Sequence, residues 1–235
     1  IVSVAALALS AACGSGNGSG SASASSDSSD ITQQTVTPGK LTIATGQPAY
    51  EPWVMNDKPE SGEGYEAAVA YAVADKLGFK KSDVVWTRTA FDTAIAPGAK
   101  DWDFNIQQFG ITDERKKAVD FSSSYYNDSQ SVVVKKDSKF ANVTKVSDLK
   151  DATVGVMVGT LAYDYAKANI KDDIQTFNDD AALAQALDAG QIDALVTSTV
   201  ECVYMVQSEQ VKDAKVLGRL PDSEDKSGMG IVLPK

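Results

Sequence analysis

The sequence predicts an α/β protein of two lobes, each a parallel sheet flanked by helices, on three observations. Its 235 residues exceed what one core of ordinary size requires, so two modest lobes are the starting expectation. From Lys40 onward, short apolar strand-like runs alternate with longer runs of helical period. Two stretches also echo each other, "AFDTAIAPGAKDWDFNIQQF" and "DDAALAQALDAGQIDALVTS". Each runs from a short helix through Gly98 or Gly190 to Asp103 or Asp193 ahead of an apolar strand, one βαβ crossover per half.

"KLTIATG" reads as a buried strand closed by a glycine turn. "YEAAVAYAVADKLGF" reads as a helix with Tyr65, Val69, Val73 and Leu77 at four-residue spacing beside Ala68 and Ala72, capped by Gly78. "DVVWTRT" is the next strand, and "SQSVVVKKDS" is a strand placed to link the lobes. "TVGVMVGTLAYDYAKAN" gives a strand ending at Gly159 and Thr160, then a helix carrying Ala162, Ala166 and Ala168. Open α/β sheets bind ligands where strand C-termini meet helix N-termini, and both lobes own such an edge.

Composition narrows the chemistry. With 22 basic against 32 acidic residues the net charge is -10, which argues against a nucleic-acid partner. The chain has no histidine, which removes the usual general base, the commonest zinc ligand and the Ser-His-Asp and Cys-His systems, so neither an enzyme nor a metal or other cofactor is expected. Of the two cysteines, Cys202 reads as a small buried helix residue, since nothing basic adjoins it to activate the thiol.

Residues 1–12 form an apolar run too short to span a bilayer but suited to part of a signal peptide. The small residues ending at Cys13 resemble the lipobox of bacterial lipoproteins, which would make Cys13 a lipidated N-terminus; the alternative is a plain signal peptide with Cys13 merely nearby. The Gly/Ser-rich stretch up to residue 39 is expected to be a flexible tether reaching roughly 25 to 30 Å.

The segment "FNIQQFGITDERKKAVDF" concentrates the binding chemistry. Gly110 lets another molecule approach the backbone, Thr112 suits the N-cap of a turn over Asp113 to Lys117, and Arg115 offers a planar fork matched to a carboxylate. The competing reading pairs Arg115 with Asp113 or Asp120 on the surface.

"GITDERKKAVDFSSSYY" closely resembles the signature of the amino-acid-binding proteins of ABC importers, the solute-binding family with glutamine-, arginine- and histidine-binding members. The likeness runs from Lys40 to Lys235 and takes in "LTIATGQPAYEPWV", "GYEAAVAYAVADKLGF", "SDLKDATVGVMVGTLAYDY", "ALAQALDAGQIDALV" and "GMGIVLPK". It implies two Rossmann-like α/β lobes joined by a two-strand hinge, the periplasmic-binding-protein type II fold: lobe 1 over 40–126, hinge 127–131, lobe 2 over 132–225 and a returning strand over 226–235. The family continues beyond that strand with helices that complete the first lobe, so the C-terminal helices are expected to be missing here. It further implies that Arg115 grips the ligand's α-carboxylate with Thr112 in the same motif, that Tyr50 and Phe91 pack on the ligand with Trp53 close by, and that Thr160 meets the carboxylate from the second lobe.

Three departures bear on the ligand. Gly110 replaces a usual Thr or Ser, removing a hydroxyl and enlarging the site. Gln47 stands where several members carry Asp, which argues against a strongly cationic side chain. Ser198 takes the place of the Asp that pairs with the α-ammonium; either Glu201, one helical turn on, reaches back to the empty place, or the ligand lacks a free ammonium. The expected protein is a monomeric, lipid-anchored receptor on the outer face of the bacterial membrane, delivering a polar or neutral amino acid or related carboxylate to a permease. Alternatives are a cyclohexadienyl-dehydratase-like enzyme with Glu201 as proton donor, and a sensory ectodomain.

Overall fold

A computed structural model describes residues 30–235; the signal segment, Cys13 and most of the expected tether lie outside the described residues. In chain order the elements are β1 (Leu41–Thr45), α1 (Tyr65–Lys76), β2 (Val84–Arg88), α2 (Phe91–Ile95), β3 (Phe104–Asn105), β4 (Asp120–Tyr126), β5 (Gln130–Lys135), β6 (Val154–Met157), α3 (Leu161–Asn169), β7 (Gln175–Phe177), α4 (Asp180–Asp188), β8 (Ala194–Ser198), α5 (Thr199–Gln207), β9 (Ala214–Arg219) and β10 (Met229–Leu233). They build two five-stranded sheets, ordered β2-β1-β3-β10-β4 and β7-β6-β8-β5-β9.

Both sheets are mixed, which corrects the purely parallel expectation. β1 runs parallel to β2 and β3, and β6 parallel to β7 and β8. β10 lies antiparallel between β3 and β4, and β5 antiparallel between β8 and β9. The reason is connectivity: each reversed strand arrives directly from the opposite lobe and threads its sheet against the crossover strands. The stretch expected to link the lobes is therefore an inner strand, β5. The crossings fall at 127–129 and 220–228.

Alternation fixes the register of β5. Val132 and Val134 enter one core with Val154, Val156, Ala162 and Ala166, while Val133 enters the other with Leu183, Leu187, Leu195 and Met205. Cys202 is wholly buried in that second cluster. In the first lobe Ile43, Phe104, Ile106 and Ile231 meet Ala70 and Ala74 of α1. The innermost stripe of α1 is Ala67, Ala70 and Ala74, with Val69, Val73 and Leu77 on its flanks and Tyr65 exposed. That corrects the expected core face: alanines let the helix sit close to the sheet and leave the larger side chains to the sides.

The two echoing stretches prove alike in their bonding. The Asp103 carboxylate accepts from the Thr42 amide at 2.7 Å while the Asp103 amide donates to the Thr42 carbonyl at 2.8 Å. Asp193 does the same with Thr153, at 2.8 Å in both directions. Each Asp thus pins the start of one crossover strand to its neighbour, so that their C-terminal ends align at the cleft.

Candidate functional site

The segment after β3 delivers a guanidinium to the space between the lobes. Thr112 Oγ1 accepts from the Arg115 amide at 3.1 Å and starts a short 3-10 turn over Arg115–Lys117. Lys116 and Lys117 point to solvent and pair with Asp113 and Glu114. Arg115 turns inward. Its Nη1 donates to the Gly110 carbonyl at 2.7 Å, its Nη2 reaches the Gly159 carbonyl of the second lobe at 2.9 Å, and its plane lies 5.4 Å from the Phe91 ring centre. The surface pairing with Asp113 or Asp120 is not formed. Burial lowers the Arg115 pKa, opposed by the fields of Asp164 and Asp225.

Arg115 borders a cavity of about 70 Å³ between the lobes. Tyr50, Phe91, Gly110, Thr160, Ser198 and Glu201, all singled out in the sequence, line it too. Thr112 positions Arg115 from behind. Trp53 does not reach the cavity: it is buried edge-on against Tyr65 and Tyr126, at ring distances of 5.9 and 5.2 Å. Gln47 is exposed in the turn after β1 and does not border the cavity.

Thr160 caps α3. Its hydroxyl donates to the Met157 carbonyl at 2.8 Å and accepts from the Tyr163 amide at 3.2 Å, so the hydroxyl proton is committed within the protein. What α3 offers a guest is the set of first-turn amides that lack intrahelical partners. Gly110 does not enlarge the site. A β-carbon there would stand 2.6 Å from Leu161 Cδ1 and 2.9 Å from Asp225 Oδ2, so a leucine from the facing lobe already fills the space.

Ser198 caps α5 by accepting from the Glu201 amide at 3.2 Å, and the Glu201 carboxyl turns back into the cavity wall. There it meets a residue that sequence reasoning missed. Thr197 Oγ1 lies 2.8 Å from Glu201 Oε2 and 3.3 Å from Asp180 Oδ1. One hydroxyl has one proton to give, so Thr197 serves one carboxyl at a time, and the Ser198 hydroxyl is a further partner of Glu201. Burial pushes Asp180 up to about 6, and burial plus the field of Asp180 pushes Glu201 well above the usual carboxylate range. Tyr50, its phenol held protonated by burial, spans the cleft and accepts from the Ala181 amide at 3.4 Å.

Asp128 and Asp225 were also missed. They sit on the two crossing segments, which are joined by a hydrogen bond from the Asp225 amide to the Asp128 carbonyl at 2.9 Å. The Asp128 carboxyl takes hydrogen bonds from the Ser129 amide and from the start of α5, whereas one Asp225 carboxylate oxygen is buried without a hydrogen-bond partner. A pattern search passes over both because they lie outside every helix and strand. Asp180 reads as an ordinary first-turn acid of α4, and only the fold shows that it faces inward. A larger hollow of about 620 Å³ lies beside the crossings, next to Tyr126, Thr199, Val203 and Tyr204, but Arg115 and the start of α3 converge on the smaller cavity.

Two mixed sheets joined by paired crossings, with a forked cation and a helix N-terminus converging between them, define a two-lobed protein of the periplasmic-binding-protein type II fold. The sequence profile of the bacterial extracellular solute-binding proteins, family 3, matches residues 41–196, and the chain belongs to that family. It is 31% identical over 160 residues to an L-cystine-binding protein of Escherichia coli, covering 67% of this chain and 59% of that relative, which is under two thirds of its length. Among solved structures, an ancestral arginine-binding protein bound to arginine superposes with a TM-score of 0.69 at 32% identity, covering 84% of this chain and 85% of the other. An ancestral amino acid-binding protein described as a precursor of cyclohexadienyl dehydratase gives the same TM-score at 29% identity, covering 84% and 82%.

Proposed function

We propose that this protein is the receptor of an ATP-driven importer, held at the outer face of the bacterial membrane by a lipid on Cys13, and that it captures an amino acid in the interlobe cavity and presents it to the permease. The observation that carries this reading is Arg115. Its guanidinium hydrogen-bonds carbonyls of both lobes, at Gly110 and Gly159, beside the α3 N-terminus. A ligand carboxylate seated there touches both lobes at once, and only the closed arrangement offers both sets of contacts, so capture and closure are one event. Tyr50 and Phe91 supply the apolar walls. The named binding activities of the relatives support the same reading.

Native mass spectrometry of the chain purified without refolding tests it. An amino-acid mass lost on denaturation is expected, and a resident ligand lacking a carboxylate contradicts it. A second reading is favoured by the Glu201 carboxyl in the cavity wall, raised by burial, and by the dehydratase precursor among the structural relatives: Glu201 as the acid of a dehydration. Incubation with prephenate or arogenate separates the two, since a receptor returns both compounds unchanged.

A further inference from the structure

The lip of lobe 1 over residues 46–57 is braced before it meets the other lobe. Arg88, at the end of β2, donates from Nη1 to the Gly46 carbonyl at 2.8 Å and from Nη2 to the Asp57 carbonyl at 2.6 Å. The Ala49 amide donates to the Asp57 carboxylate at 2.9 Å, and the Asn56 amide to Glu51 Oε1 at 2.7 Å. Glu51 therefore presents a carboxylate whose position is set within its own lobe, leaving Oε2 for a partner from outside. That partner is Tyr204 of α5, whose hydroxyl donates to Oε2 from the opposite lobe. The Tyr204 hydroxyl and the Asn56 amide hold the Glu51 carboxyl below the ordinary carboxylate range, so it is an ionised acceptor at neutral pH. Neither Glu51 nor Tyr204 borders the cavity, but each adjoins a residue that does. Glu51 follows Tyr50, whose hydroxyl accepts from the Ala181 amide of α4. Tyr204 lies three residues, about one helical turn, beyond Glu201, and the start of the same helix is tied to the first crossing through Asp128. Along its length α5 thus meets the crossing, the cavity and Glu51 in succession.

We propose that Glu51 and Tyr204 form a closure latch: a contact outside the cavity, made only while the lobes are shut, that sets how long a captured amino acid stays and not how fast it enters. This rests on the amino-acid capture reading. Each partner is fixed to its own lobe, so rotating the lobes apart about the crossings separates the two. One hydrogen bond between half-buried groups is too weak to shut the lobes by itself. It is broken at every opening, however, so its contribution falls on the release step. Entry takes place in the open arrangement, where the latch is unmade.

The test compares release rates. The full chain, refolded to strip resident ligand, is loaded from an isotope-labelled mixture of the common amino acids with L-cystine, and native mass spectrometry identifies the compound retained. Excess unlabelled compound then displaces it, and the change in mass with time gives the release rate. Calorimetry with the same compound gives Kd, and the association rate follows from the two. Tyr204→Phe is expected to speed release about fivefold or more with association unchanged, and Glu51→Ala, which also frees the Asn56 amide, at least as much. The double variant is expected to release no faster than Glu51→Ala alone, because one contact can be lost only once. Unchanged release in Tyr204→Phe, which removes a single half-buried hydroxyl and is expected to fold, overturns the latch and leaves amino-acid capture standing. Slower association at unchanged release, or a double variant whose effect is the product of the single ones, overturns it equally. Retention of no labelled amino acid by the wild type overturns capture and the latch together.

Discussion

Glu66 shows how a single buried charge supports the cleft from outside it. It is fully buried on α1, accepts from the Gln108 amide at 2.7 Å, and takes further hydrogen bonds from Gln108 Nε2 and the Tyr125 hydroxyl. These bonds hold Gln108 at φ 49, where its side chain borders the cavity. Burial outweighs the three donors and pushes the Glu66 carboxyl up to about 7. Between an unfolded pKa near 4.5 and that native value, the folded protein keeps a proton the unfolded chain has released. Stability therefore falls as pH rises through this window, by on the order of 3 kcal/mol. Urea denaturation at pH 5 and pH 8 should show this loss in the wild type and a smaller one in Glu66→Gln; equal losses in both would assign the effect elsewhere. A second prediction concerns Gly110. Gly110→Ala should weaken ligand binding by crowding Leu161 across the cleft, and Leu161→Ala should restore it. Failure of the double variant to recover affinity would rule out that contact as the cause. Arg115 was legible because Gly110, Thr112 and the arginine form one short local pattern. Asp128, Asp180 and Asp225 were not, because residues almost a hundred apart in sequence become neighbours only when the lobes are joined.

Among the elements, the two Asp clamps make the internal echo physical. Asp103 accepts two backbone amides, Val36 at 2.7 Å and Thr42 at 2.7 Å, whereas Asp193 accepts the Thr153 amide alone. Removing either carboxylate leaves strand-start amides without their partner. Asp193→Ala should cost about 1 to 3 kcal/mol and Asp103→Ala somewhat more. Unchanged urea midpoints would show that the strands hold their starts without these bonds. Most elements were readable from period and punctuation, among them β1, α1 with its Gly78 terminus, β6 followed by α3, and β8 followed by α5. Strand direction was not readable. Whether β5 and β10 run with or against their sheets depends on which lobe each arrives from, and no local periodicity records that.

At the scale of the molecule, the lobes touch around the cavity through Arg115 with Gly159, Tyr50 with the Ala181 amide and Leu161 against Gly110, and away from it through the Tyr204 hydroxyl with Glu51. These contacts are few beside the two cores, so closure depends on what the cleft holds. A ligand that binds only the closed arrangement stabilises the fold by mass action, about 2.7 kcal/mol at a hundred times its Kd. The unfolding midpoint should therefore climb with concentration of the bound amino acid and stay fixed with a non-binding one. The central claim is that Arg115 clamps the carboxylate of a captured amino acid, and titration of Arg115→Met with the compound the wild type binds tests it most directly. Loss of affinity by about 100-fold or more is predicted, since the carboxylate would be buried without its partner. Undiminished binding heat in a folded variant would contradict it.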